Sequence, residues 1–177
     1  MTPSSDAAVT AHLLQDDGAI PNNPHLPLLV YQGVLDVSVG DPAAPFETLF
    51  AANGWGSSWR NGIFPFPHYH STAHEVLGIS RGTAKVRFGG EQGVVLDVEP
   101  GDVVVIPAGV GHQNLGASSD LLVVGAYPGG ASWDLCRGDA DERPKVLDNI
   151  ARVSLPPNDP VYGAEGPLIT HWQRPKR

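Results

Sequence analysis

Cysteine is all but missing from this chain of 177 residues, where Cys136 stands alone. No intramolecular disulfide and no cysteine-based zinc knuckle can form, and a lone thiol reads as a quiet buried side chain. Charge is scarce too, at 17% of residues, with only 11 Lys and Arg against 19 Asp and Glu. The net charge of −8 repels phosphate backbones and anionic bilayers, so neither nucleic acid nor a membrane is an expected partner. No apolar run approaches the length of a membrane span. The first ten residues lack the basic and apolar regions of a secretory leader, which leads to the expectation of a soluble, cytoplasmic protein. Nucleophile elbows, phosphate-cradling glycine loops, helix-turn-helix patterns, internal repeats and low-complexity tracts are all missing.

Glycine and proline are plentiful, at 21 and 17 residues, about a fifth of the chain together. Both interrupt helices, so the expectation is short strands joined by tight turns. Alternation or continuous apolar character marks strands over 26–37 (broken at Gly33), 75–80, 83–88, 94–98, 103–106 and 121–127. The run Val103 to Ile106 is apolar throughout and reads as a strand buried on both faces. Helical spacing predicts a helix over 45–53 and a second over 144–153. The Pro-rich stretch 154–172 reads as an extended arm across the domain or a neighbouring copy, which suggests a homodimer. The division expected is a flexible N-terminus over 1–13, one domain over 14–172 with its core at about 58–128, and a basic tail over 173–177.

Three of the seven histidines fall within seven residues, in the run His68-Tyr69-His70-Ser71-Thr72-Ala73-His74, and Glu75 follows. On a strand His68 and His70 share a face, because side chains alternate. Two imidazoles, a nearby carboxylate and His112 on a distant strand make a candidate metal site. Imidazole suits Fe, Zn, Cu and Ni, and a carboxylate adds affinity for a hard divalent ion.

The spacing around these residues resembles the cupin superfamily. Gly62, His68, His70, Glu75 and Gly82 match its first motif, and Gly101, Pro107-Ala108-Gly109 and His112 match its second. The resemblance implies an all-β jelly-roll β-barrel (a double-stranded β-helix), with one or two short helices and terminal arms. It implies one divalent ion held by His68, His70, Glu75 and His112. The donor set favours Fe(II), Mn(II) or Ni(II) and admits Zn(II). His74 is the rival to Glu75 as third ligand, and otherwise the one nearby candidate for acid–base work. The family pattern places Asn where this chain has Gly116, and Asn114 stands two residues earlier. Segments including Gln15-Asp16-Asp17-Gly18, Leu26 to Tyr31, Val124 to Pro128 and Trp133-Asp134 further resemble the YjlB-like group of small bacterial cupins. Phe64, Phe66, Asn114 and Tyr127 are the expected pocket residues for a small-molecule ligand. The expected function is metal-dependent oxidation, dioxygenase-like, or isomerisation of a small organic acid or carbonyl compound. The alternative is a non-catalytic protein that binds a metal or a small molecule.

Overall fold

The computed structural model describes residues 1–38 and 40–173. Among them nine strands form two antiparallel sheets. The strands are β1 (Ala8–His12), β2 (Leu28–Gln32), β3 (Trp55–Asn61), β4 (Glu75–Arg81), β5 (Ala84–Phe88), β6 (Val94–Val98), β7 (Val103–Ile106), β8 (His112–Ala117) and β9 (Leu122–Pro128). Six form one sheet in the order β1-β2-β7-β4-β9-β3, and three form the other in the order β6-β5-β8. Helices α1 (Ala44–Ala52), α2 (Lys145–Arg152) and α3 (Pro167–His171) are short. The expected all-β class is found, with the strands divided between two sheets.

The six-stranded sheet is apolar on both faces, and alternation explains how. Leu28, Val30, Leu77, Ile79, Val104, Ile106 and Val123 point to one side, where they meet Ala84, Val86, Phe88 and Val98 of the smaller sheet. Leu29, Tyr31, Val76, Val103, Val105, Val124 and Ala126 point to the other side. That outer face is covered by Phe46 and Phe50 of α1 and by Val161, Leu168 and Trp172. The Phe46 ring lies so close that a Cβ at Gly78 would stand 2.5 Å from its Cδ1, so β4 must carry glycine there. The smaller sheet turns its other face to solvent, where Lys85 pairs with Asp97 at 3.2 Å across β5 and β6.

The C-terminal segment is fastened by one buried carboxylate. Asp159 accepts hydrogen bonds from the Tyr31 hydroxyl at 2.5 Å and from the backbone N–H groups of Val161 at 2.7 Å, Tyr162 at 3.0 Å and Leu168 at 3.0 Å. Burial, then the Asp159 charge, raises the Tyr31 phenol well above its ordinary value, so it stays a donor.

Several elements differ from the sequence expectation. Residues 8–12 form an edge strand, with Val9 opposite Tyr31, where fraying was expected. Backbone pairing to the open side of β2 needs no apolar side chains, so composition concealed it. Strands β3 and β8 fall outside the segments that alternation marks, because their Gly, Ser, Asn and Gln residues break the pattern; β8 is the distant strand expected to carry His112. The stretch 154–172 is not extended throughout: Pro167 opens α3, where a missing N–H costs nothing. Its apolar residues are buried on the chain's own sheet, so they supply no argument for a second copy. Residues 174–177 of the expected basic tail lie outside the described residues. No helix among the described residues is long and apolar enough to cross a membrane.

Candidate metal centre

The two sheets meet where Glu75 opens β4 and His112 opens β8. Glu75 pairs with Ile106 in the larger sheet, and His112 pairs with Phe88 in the smaller one. His68 and His70 come from the segment that leads into β4, where Pro65 and Pro67 prevent a continuous strand. An isolated bridge ties this segment to β8: the His68 N–H donates to the His112 carbonyl at 3.2 Å, and the reverse bond is 2.9 Å.

Donor atoms of His70, Glu75 and His112 lie within 4.8 Å of one another, and all three residues are buried. Glu75 Oε2 is 2.8 Å from His70 Nε2 and 3.6 Å from His112 Nε2. His68 stands beside this group, its ring centroid 4.0 Å from that of His112 and 6.1 Å from that of His70.

The ring orientations carry the chemistry. Nδ1 of His68 faces the Phe66 carbonyl at 3.0 Å, Nδ1 of His112 faces the Val110 carbonyl at 3.3 Å, and Nδ1 of His70 faces the Asp134 carbonyl. A carbonyl oxygen only accepts, so each Nδ1 carries the proton and each Nε2 of a neutral ring presents a lone pair. Tethers of this kind orient metal-binding imidazoles. Glu75 Oε2 is buried and takes no hydrogen bond. Two lone-pair nitrogens and an anionic oxygen thus converge with no proton between them, and a cation, or a proton on His70, must complete the cluster. The donor set fits a divalent ion.

Burial, reinforced by the neighbouring rings, holds His112 well below the ordinary histidine value. Burial also lowers His68. At His70 burial acts to lower the value, but the Glu75 carboxylate outweighs it and the net shift is upward.

A cavity of about 360 Å³ opens onto these residues, lined among others by Trp59, Phe64, Tyr127 and Trp133. Trp59 lies flat where a side chain on β9 would otherwise stand: a Cβ at Gly125 would be 2.1 Å from its Cε2. The Trp59 Nε1–H donates to the Tyr127 hydroxyl at 2.8 Å. Burial, then the Glu75 charge, raises the Tyr127 phenol above its ordinary range. Trp133 lies 4.9 Å from the His70 ring and is nearly parallel to Tyr127. A groove of about 460 Å³ between the 14–26 stretch and α2 is larger, but it has no comparable convergence of donor atoms.

Not every expected pocket residue lines this cavity. Phe64 and Tyr127 do. Phe66 instead backs Phe64, ring on ring at 4.9 Å, beneath the Arg137 guanidinium. Asn114 turns its side-chain oxygen to the Gly116 N–H at 2.9 Å, and its own N–H holds the Phe64 carbonyl at 2.9 Å. His74 faces the other side of the larger sheet, where its Nδ1 accepts the Ala108 N–H at 2.9 Å and its ring packs on Trp172.

Asp134 gave no chemical signal in the sequence. Its carboxylate accepts the Ser71 N–H at 2.6 Å, the Ser71 hydroxyl, and the N–H and hydroxyl of Thr72 at 3.3 Å each. Burial acts to raise its carboxyl, but these bonds prevail and hold it below the usual value. Asp134 thereby clamps the segment between His70 and Glu75, and its carbonyl sets the His70 ring.

The cupin domain family model matches residues 60–124. The chain is 44% identical over 162 residues to the uncharacterized protein YjlB of Bacillus subtilis (strain 168), an alignment covering 91% of this chain and 94% of that one. Among solved structures it is similar to acireductone dioxygenase from Bacillus anthracis, crystallised with a cadmium ion in its active centre. That match has 18% identity and a TM-score of 0.40 over 67% of this chain and 77% of the dioxygenase. It is also similar to the epimerase RmlC from Legionella pneumophila, with 13% identity and a TM-score of 0.38 over 68% and 71% of the two chains.

Proposed function

The chain belongs to the cupin superfamily, in the family of YjlB, and from that premise we propose that it is a metal-dependent oxidoreductase, dioxygenase-like, or isomerase acting on a small organic acid or carbonyl compound. In this reading His68, His70, Glu75 and His112 hold one divalent ion, Fe(II), Mn(II) or Ni(II) before Zn(II). The observation that carries it is the buried Glu75 Oε2, which takes no hydrogen bond while two imidazole Nε2 atoms face it. When bound, such an ion supplies Lewis-acid or redox chemistry at a coordination position left open to substrate.

The chain's own residues have separable tasks. The backbone carbonyls of Phe66, Asp134 and Val110 hold the three rings in one tautomer. Glu75 supplies the negative charge that offsets part of the ion's. The aromatic walls limit water at the site. The reading also includes a cytoplasmic setting and a homodimer, the latter without support from the C-terminal arm.

The test is the metal content of the protein as isolated, then titration of the stripped protein with each ion. One ion per chain is expected, lost in His112→Ala and Glu75→Ala and kept in His74→Ala. Loss in His74→Ala with retention in Glu75→Ala refutes this ligand set. A second reading, binding without turnover, draws on one observation: the cavity has few side chains for proton transfer beyond the ligand set, Tyr127 being the nearest, since His74 lies on the far side of the sheet. Anaerobic Fe(II)-loaded protein that binds acids but yields no product with O₂ supports that second reading.

A further inference from the structure

We infer that the compound bound in this cavity carries one planar aromatic ring and a single oxygen-donor head; this deepens the metal-centre reading above and rests on it. Three observations narrow the chemistry. The first is size. A cavity of about 360 Å³ lies near the lower end of the usual range for small-molecule pockets. One six-membered ring with a short acid side chain fits that space.

The second is charge. Arg60 is the one Lys or Arg among the lining residues. Its guanidinium is already held by Asp41, at 3.1 and 2.8 Å, and by Glu47. No free cation is left at the described wall for a phosphate or a second carboxylate, so the anionic head has only the metal end to occupy. Neutral hydrogen-bonding side chains are also few, with Asn61 the clearest. A sugar's hydroxyls would lose water without replacement there.

The third is the rim. Phe64 is 43% exposed and Trp133 44% exposed, and both line the same cavity, so they are a paired apolar rim and not residues scattered singly over the surface. Both are held in place. Phe64 is backed by Phe66, and Trp133 rests on Tyr127 and His70, with Asp134 clamped to Ser71 and Thr72 directly after it. Aromatic surfaces fixed before binding favour a flat π-face over a saturated body of equal size, because ring stacking adds to burial and little ordering remains to be done.

The experiment compares three 2-oxo acids with the same head: phenylpyruvate, its saturated analogue cyclohexylpyruvate, and pyruvate. Each is titrated calorimetrically into Ni(II)-loaded protein and followed by tryptophan fluorescence in the metal-free protein, with metal content measured for every sample. Phenylpyruvate is expected to bind at least tenfold more tightly than pyruvate and more tightly than cyclohexylpyruvate. Trp133→Ala and Phe64→Ala should each weaken phenylpyruvate about tenfold, leave pyruvate and metal stoichiometry unchanged, and Trp133→Phe should restore most of the loss. Equal affinities for the three acids, no binding of any of them, or indifference to both substitutions overturns the inference. Protein that takes metal but ignores the ring refutes this inference alone. Protein that takes no metal yet still selects the ring in the fluorescence arm refutes the metal reading alone.

Discussion

Replacing Gly125 by alanine tests how the cavity floor is built. The new Cβ would stand 2.1 Å from Trp59 Cε2, 2.2 Å from Cζ2 and 2.6 Å from Nε1. These are atoms of a rigid ring, so the indole must leave its seat as a unit. Overpacking of this kind costs about 1–3 kcal/mol. Displacement also breaks the Trp59–Tyr127 hydrogen bond, worth about 1 kcal/mol. The expected loss for Gly125→Ala is therefore roughly 2–4 kcal/mol, read from urea midpoints at constant m-value. Tryptophan emission should shift with it. The decisive comparison is Trp59→Ala combined with Gly125→Ala: once the indole is gone the added methyl meets no ring, so the double variant should be more stable than the sum of the single losses by about 1–3 kcal/mol. Additive effects, or a neutral Gly125→Ala, would show that Trp59 does not occupy this seat and would refute the account of the floor.

Asp159→Ala should destabilise the protein by about 3 kcal/mol or more, since it leaves the buried Tyr31 hydroxyl and three N–H groups without their acceptor; limited proteolysis should then cut first within 154–172, and an unchanged pattern would contradict the role given to this carboxylate. Asp134→Ala should weaken metal binding by about tenfold, the lower end seen for groups that orient ligands, with less effect on the urea midpoint; equal loss of both would make its role structural only. The bond from Arg143, at 2.7 Å, lowers the Asp16 carboxyl, so this pair adds stability at neutral pH that disappears as pH falls from about 3.8 through the lowered value; Arg143→Gln should cost a small amount at pH 7 and progressively less as the Asp16 carboxyl takes up its proton, the pair being partly exposed. Chelation should leave the far-UV strand signal intact and lower only Tm, because both apolar clusters form without the ion; collapse of that signal at room temperature would contradict it.

What could be read in the sequence depended on the distance over which each signal acts. Alternation within a strand is local, and it located the strands at 75–81, 84–88, 94–98, 103–106 and 122–128 to within a residue or two. Spacing also singled out His70, Glu75 and His112, which the fold brings into one cluster. Strand β1 draws on a pairing partner elsewhere in the chain, and β8 has its alternation broken by Gln, Asn and Gly, so periodicity marks neither, and only the expected place of His112 pointed to β8. Gly125 looks like any glycine until Trp59 is seen lying on it, and Asp134 looks like a surface carboxylate until Ser71, 63 residues earlier, is found against it. Trp133 lies in the loop that follows β9. Its place over His70 follows from a loop path that no periodicity records.

The cover on the outer face of the larger sheet has a consequence for biosynthesis. Val161, Leu168 and Trp172 seal that face, and Asp159 locks them to Tyr31 across 128 residues of chain. All nine strands emerge from the ribosome before this segment does. A nascent chain with its sheets already paired therefore still presents Leu29, Tyr31, Val103 and Val105 to water, a condition in which partly folded chains associate with one another or with chaperones. Synthesis that slows after β9 has left the ribosome and before residues 159–172 follow it holds the protein in that adhesive state. Codon choice and temperature over this interval should accordingly weigh on soluble yield more than equal changes upstream of β9.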